Sequence, residues 1–372
     1  MINKPKKFIM KKFILVLVFS TFVVNLFPQQ YIARARMEKE WGFINQKGSW
    51  IVNPQFEHAN DFSEGLAAIR KNGQWGFIDR QGAFVINPQF DDVRDFHEGL
   101  AAVRIGKEWG VVDKTGKYVI NPQFEVIKDF FDGLAPVRKN GEWGFIDKQG
   151  KYVINPQFEK AKGFEEGLAA VVKAKKWGYI DKTGTFIINP QFARAFPFVD
   201  GLALVNMLGD WGFIDKSGKF LINPQFDNAK VFSEDYACVR KGKEWGFVDK
   251  KGNYAVNPQF IDANSLSDGL AAVRIGKEWG FIDEEGKYIV NPQFIRAHDF
   301  HGGYAAVQQG KEWGFIDKSG KWTVNPQYEK VKDFVNGMAM VRKNGLWGWI
   351  DKNGTYLINP QFANAYPFVK VK

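Results

Sequence analysis

Short runs of apolar residues, separated by turn residues, recur along this chain. The clearest stretch reads LAPVR at 134–138, WGFID at 143–147 and YVIN at 152–155. Runs of this length, rich in aromatic and β-branched residues, predict strands, here named A, B and C. Asn140-Gly141 separates A from B. A two-residue type I′ hairpin needs positive φ at both positions, which favours Asn-Gly. Other copies have Gly followed by Lys there, as at Gly106 and Gly276, which suits type II′. Gly150 is placed to close a longer B–C hairpin through a bulge.

These turns predict a register. Arg138 faces Trp143, Val137 faces Gly144 and Pro136 faces Phe145. Across the second hairpin, Phe145 is expected opposite Val153 and Gly144 opposite Ile154. Arg138, Trp143, Phe145 and Val153 then share one face; Val137, Ile146, Tyr152 and Ile154 share the other. Both faces are largely apolar, whereas a sheet wet on one side alternates apolar with polar. Each small sheet is therefore expected between neighbours, with bare Gly144 offering one of them a close approach. Proline inside a strand is confined to edges and bulges, so Pro136 makes strand A an edge. The connector EKAKGFEEG (159–167) has Ala161 and Phe164 three residues apart. That spacing predicts a single helical turn, capped by left-handed Gly167.

The pattern repeats. Trp-Gly recurs every 34 residues, from Trp41 to Trp347, and Asn-Pro-Gln recurs in step from Asn53 to Asn359. The predicted fold is all-β: ten 34-residue repeats, each a three-stranded antiparallel meander plus a helical-turn connector, stacked as propeller-like blades. An open superhelical β-repeat array is the alternative, and the ends of the array leave that choice open. All 13 tryptophans fall in repeat positions, Trp50, Trp322 and Trp349 included, so none is reserved as a ligand platform.

Composition changes the picture mainly at the N-terminus. Residues 1–28 hold five lysines and no acid, and Phe13 to Phe27 is an apolar run. A basic segment before a short apolar one is the layout of a secretory signal; a membrane span needs about 20 apolar residues. The organisation read here is a signal-like segment at 1–28 and one repeat array at 29–372. Export to the periplasm, cell surface or medium is expected, or anchoring if the segment is not cleaved. Setting the segment aside leaves +5 of the net +10 charge. Lys and Arg alternate with Asp and Glu in every repeat, unlike the basic stripe of a nucleic-acid binder. No nucleic-acid partner is expected, and a membrane contact only through the N-terminal segment.

Candidate chemistry follows the same logic. The Asp after Trp-Gly-Phe-Ile recurs, as at Asp79 and Asp147, and reads as a turn cap. The Arg ending strand A is expected to stack on the repeat Trp. The amides of Asn-Pro-Gln are expected to bridge repeats, and the proline to stop strand C. Cys238 reads as a small buried filler. His298 and His301 read as a solvent-facing pair before a metal pair. No catalytic constellation, metal site or cofactor motif is present, so no enzyme activity is expected.

The repeat WGFIDKxGKYVINPQF followed by FxEGLAAVR resembles the WG-repeat (KWG-repeat) family of bacterial proteins over about residues 33–368. The resemblance implies a β-rich repeat domain, often exported, without established enzymatic activity. It brings no ligand and no catalytic residue. The expected function is a non-catalytic exported scaffold that binds an unknown protein or envelope component. A carbohydrate or cell-wall binding module using aromatic grooves is the alternative. The least faithful turn carries Met207 and Leu208 in place of the usual polar residues, and it is the candidate partner contact.

Overall fold

The structure is a computed structural model that describes residues 30–371. The signal-like segment therefore lies outside the described residues. Nine four-stranded antiparallel sheets and one five-stranded sheet are present. Blade 4 is typical: a connector strand Val126–Ile127, then A Leu134–Lys139, B Glu142–Asp147 and C Tyr152–Phe158.

The A–B register is as the Asn-Gly turn dictates: Arg138 pairs Trp143, Val137 pairs Gly144 and Pro136 pairs Phe145. The B–C register differs by one residue. Ile146 pairs Tyr152 but Phe145 pairs Ile154, with a bulge between them. The bulge takes up Val153, which is 43% exposed, and Ile154 moves onto the face of Phe145 at 3% exposure. Strand C also continues through Asn-Pro-Gln to Phe158, which pairs Trp143, so the proline does not end it.

Two further expectations change. The connector is a strand, not a helical turn. In blade 5 it spans Lys160–Glu165 and pairs with Leu168–Lys173. A bulge between Ala161 and Phe164 buries both, which gives a strand the three-residue spacing of a helix. Glu166 and Gly167 then both have positive φ, the signature of another type I′ hairpin. Strand A is consequently the second strand and not an edge. Pro136 is tolerated because its carbonyl accepts from the Lys128 amide. In an extended residue N and O point the same way, so the missing N–H faces the short connector and the A–B ladder loses nothing.

The sheets pack face to face through ten hydrophobic clusters, each joining one blade to the next. Blade 4 gives Leu134, Phe145, Ile154 and Phe158 to blade 5, which answers with Ala161, Phe164, Val171 and Ile180. The tenth cluster joins Met340, Trp349, Ile358 and Phe362 to Ala33, Ala35 and Ile44 of blade 1. The array is a closed ring. The connector strand of blade 1 is supplied by Asn364–Ala365 from the last repeat. Asn364 pairs Arg36 and Ala365 pairs Ala35, equivalent to Val126–Arg138 and Ile127–Val137 in blade 4. Val369–Val371 then pairs with Ile32, Tyr31 and Gln30. Closure buries the two sheet faces that an open array would leave bare at its ends.

Gly144 does not receive a neighbouring sheet. A Cβ there would lie 2.5 Å from the Ile154 carbonyl and 2.6 Å from the Pro156 nitrogen. The Asn-Pro backbone of the same blade crosses over it. Because the obstacle is backbone, Gly144→Ala is expected to destabilise by about 1–3 kcal/mol. Gly163→Ala, whose Cβ meets only Phe131 at 3.7 Å, is expected to change little; equal urea midpoints for the two variants would contradict this. Truncation after Phe368 removes buried Val371 and its ladder. It is expected to lower the melting temperature by several degrees, which Lys370→Glu alone does not.

Candidate functional site

The repeated polar residues are engaged within the ring. Asp147 Oδ1 accepts from the Gln149 and Lys151 amides at 3.0 and 2.9 Å, and Asn45 holds its turn in the same way. These carboxylates cap turns, as the sequence predicts. The Thr115 hydroxyl and the turn amides hold the Asp113 carboxyl below its ordinary pKa.

The Arg–Trp expectation holds in part, and the turn type sorts it. Arg36, Arg104, Arg240 and Arg274 lie 5.6–5.8 Å from their Trp ring centres. In the Asn-Gly copies, Arg70, Arg138 and Arg342 donate Nε to the turn glycine carbonyl at 3.0–3.2 Å, whereas Arg104 and Arg274 donate Nη1 to theirs while lying over Trp. A connector residue covers Trp as well: Arg94 on Trp109, Lys128 on Trp143, Lys162 on Trp177 and Lys230 on Trp245. Phe196, His298 and Tyr366 take that position on Trp211, Trp313 and Trp41. Sequence reasoning missed this contact, although its signal is a fixed spacing of 15 residues before Trp in six copies, with Tyr366 taking the place across the closure.

Lys128, Lys162 and Lys230 also donate to the alanine carbonyl of the next connector at 2.8–3.0 Å. Burial, then repulsion from Arg94, pushes the Lys128 ammonium below its usual pKa; burial and Lys128 do the same to Lys162. The Asn and Gln amides of Asn-Pro-Gln are exposed. Gln157 does reach the next blade, accepting from Lys173 at 3.3 Å.

The candidate contact residues lie apart from these ties. Leu208 sits at a turn tip with φ 57° and is 94% exposed. Met207 is partly buried against the blade 5–6 cluster. Asn206 replaces the strand-end Arg and donates to the Gly209 carbonyl at 2.9 Å. In six copies a turn amide donates to an acid before the connector, as Gly141 to Glu125 at 3.1 Å; here that residue is Ala193, and Ile261, Ile295 and Ala363 stand there in three others. The turn keeps its shape without either charged tie.

His298 Nδ1 lies 2.7 Å from Asp333, and His301 Nε2 lies 3.9 Å from the same carboxylate. Among the described residues, no group of three or more His, Cys, Asp or Glu is arranged to hold a metal. Cys238 is fully buried, and burial pushes its thiol up to about 12. It fills space and is not poised as a thiolate. Among the described residues, no helix is long and apolar enough to cross a membrane.

One cleft stands out, with a volume of about 880 Å³ across blades 9, 10 and 1. Arg296, Lys330 and Lys332 line it, with Trp313, Trp347 and Tyr366. None of these six was singled out from the sequence as a ligand residue. Their signal is weak: basic residues in connector positions that also carry Asn or Asp elsewhere.

A model of the WG containing repeat matches ten consecutive stretches of the chain, from 41–75 to 347–370. No curated protein matches the sequence. Among solved structures, the chain is similar to one described as the eukaryotic initiation factor, with a TM-score of 0.56 and 11% identity over 92% of this chain and 98% of that one. It is more distantly similar to Kluyveromyces lactis Hsv2p, with a TM-score of 0.35 and 10% identity over 63% and 96%. The surface component PorZ of Porphyromonas gingivalis gives 0.29 and 9% over 83% and 52%. The first likeness is one of fold alone, and the other two carry no argument. With its ten matched repeats, the chain belongs to the family of proteins built from the WG containing repeat.

Proposed function

We propose that this protein is a non-catalytic, exported bacterial scaffold that binds other proteins through the turns at the rim of its ring. The observation that carries this reading is the division of labour between repeated and unrepeated residues. Repeated Asp caps turns, repeated Trp and Phe fill the spaces between blades, and repeated Arg ties strand ends. The freedom to recognise a partner is left to turn positions that differ between copies. Leu208 is the clearest of these, a large apolar side chain in water on a turn that has lost its usual charged ties.

Export is argued from the basic and apolar layout of residues 1–28. The carbohydrate alternative needs flat, open aromatic faces; full burial of the residues at the Phe145 and Phe158 positions argues against it, while six of the repeat Trp are half-buried. The test uses the full chain as bait in envelope extract. Leu208→Glu with Met207→Lys is expected to reduce capture of at least one partner by fivefold or more. Unchanged capture would end the assignment to this turn. Saturable binding to a glycan array, lost on changing exposed aromatics, would overturn the protein-binding reading.

A further inference from the structure

We propose that the cleft across blades 9, 10 and 1 is a binding site for an acidic peptide segment. It is separate from the Leu208 turn and rests on the scaffold reading only in taking its ligand to be a protein. Its 880 Å³ volume lies within the range of ligand-binding clefts, about 300–1,000 Å³.

Charge is the first argument. Arg296, Lys330 and Lys332 have no carboxylate within salt-bridge distance among the described residues, whereas Arg138, Lys148 and Arg274 are each paired. Lys332 occupies the position of Lys128, Lys162 and Lys230. Those three fold back onto the alanine carbonyl of the next connector; Lys332 makes no such bond to Ala365. The cleft's one acid, Glu329, is already engaged by the Gly345 amide at 3.2 Å and Arg342 at 3.9 Å. His298 is held by Asp333. The walls thus present three uncommitted cations.

Shape decides between a peptide and a sugar. The Trp313 indole is largely buried, with the His298 ring 4.8 Å from it. Tyr366 carries the Arg34 guanidinium 3.6 Å over its ring. Neither offers the open flat face that a sugar ring stacks on. Trp347 is half-buried beside aliphatic Ile295 and Val331. Ile295 is itself exposed at the cleft wall. Aliphatic walls with spaced cations fit an extended chain carrying carboxylates and an occasional apolar side chain.

The test is fluorescence anisotropy on the full chain. The probe is a labelled ten-residue peptide of Glu and Asp around two Leu, compared with the same peptide carrying Gln and Asn. Saturable binding is expected, at least tenfold tighter for the acidic peptide and weakened by salt. Arg296→Glu, Lys330→Glu and Lys332→Glu together are expected to weaken it at least tenfold. Lys160→Glu with Arg194→Glu, the equivalent connector positions of blades 5 and 6, leaves it unchanged. Should the triple variant fail to fold, Lys332→Gln alone is expected to weaken binding about threefold. Equal binding of both peptides, or full binding by the folded triple or the single variant, would overturn the proposal. Binding of oligogalacturonate without binding of the acidic peptide would assign the cleft to a glycan and overturn it equally. Leu208→Glu is expected to bind the peptide normally, so failure of the cleft and failure of the turn assignment are told apart.

Discussion

The close approach of one backbone segment to one glycine sets the form of every blade. In all ten copies the glycine of Trp-Gly has its own Asn-Pro backbone where a Cβ would stand, at about 2.5 Å. This lets strand C fold flush over strand B, so that the Phe after Asn-Pro-Gln returns to face the repeat Trp. A single residue, such as Glu159, then links strand C to the next connector. With so short a link, blades are locked to their neighbours at one fixed distance. An insertion at this crossing has no room.

The returning Phe also makes the interface. Phe124 meets Tyr152 of the next blade edge-on at 6.1 Å, and Phe158 meets Phe186 at 6.0 Å. Such a pair contributes about 0.5–1.5 kcal/mol beyond its buried area. At the closure Phe362 meets Trp50 at 5.6 Å in the same geometry. The junction between the chain's ends is therefore built like eight of the other nine, and Trp50 and Trp322 are partners in this repeated contact. Since crossing, interface and turn caps consume the repeated residues, recognition falls to places where the repeat is broken, such as the Leu208 turn and the uncommitted cations of the cleft.

What the sequence disclosed tracks the range of each interaction. The A–B hairpin was legible to the residue, because a two-residue turn fixes register locally. The B–C hairpin slipped by one because the bulge at Val153 leaves no mark in an apolar run. Ala161 and Phe164 suggested a helix because a bulged strand can bury residues three apart; the Glu-Gly pair that follows was the overlooked hairpin signal. Closure was invisible because Arg36 and Asn364 are brought together only by the completed ring. The cleft was hidden for a related reason. That Lys332 lacks the carbonyl bond of its counterparts is a fact of packing, not of residue type.

The two ends of the array share one blade. Tyr31 and Lys370 are directly paired there, and facing Cα atoms in an antiparallel pair are about 4.5–5.5 Å apart, within reach of a disulfide. The double variant Tyr31→Cys, Lys370→Cys tests this most directly, since the native Cys238 is buried and its thiol is pushed up to about 12. Oxidation of the folded monomer is expected to give an intramolecular disulfide, seen as a mobility shift that reduction reverses and prior unfolding prevents. Free thiols after oxidation, or crosslinks only between molecules, would contradict the closed ring.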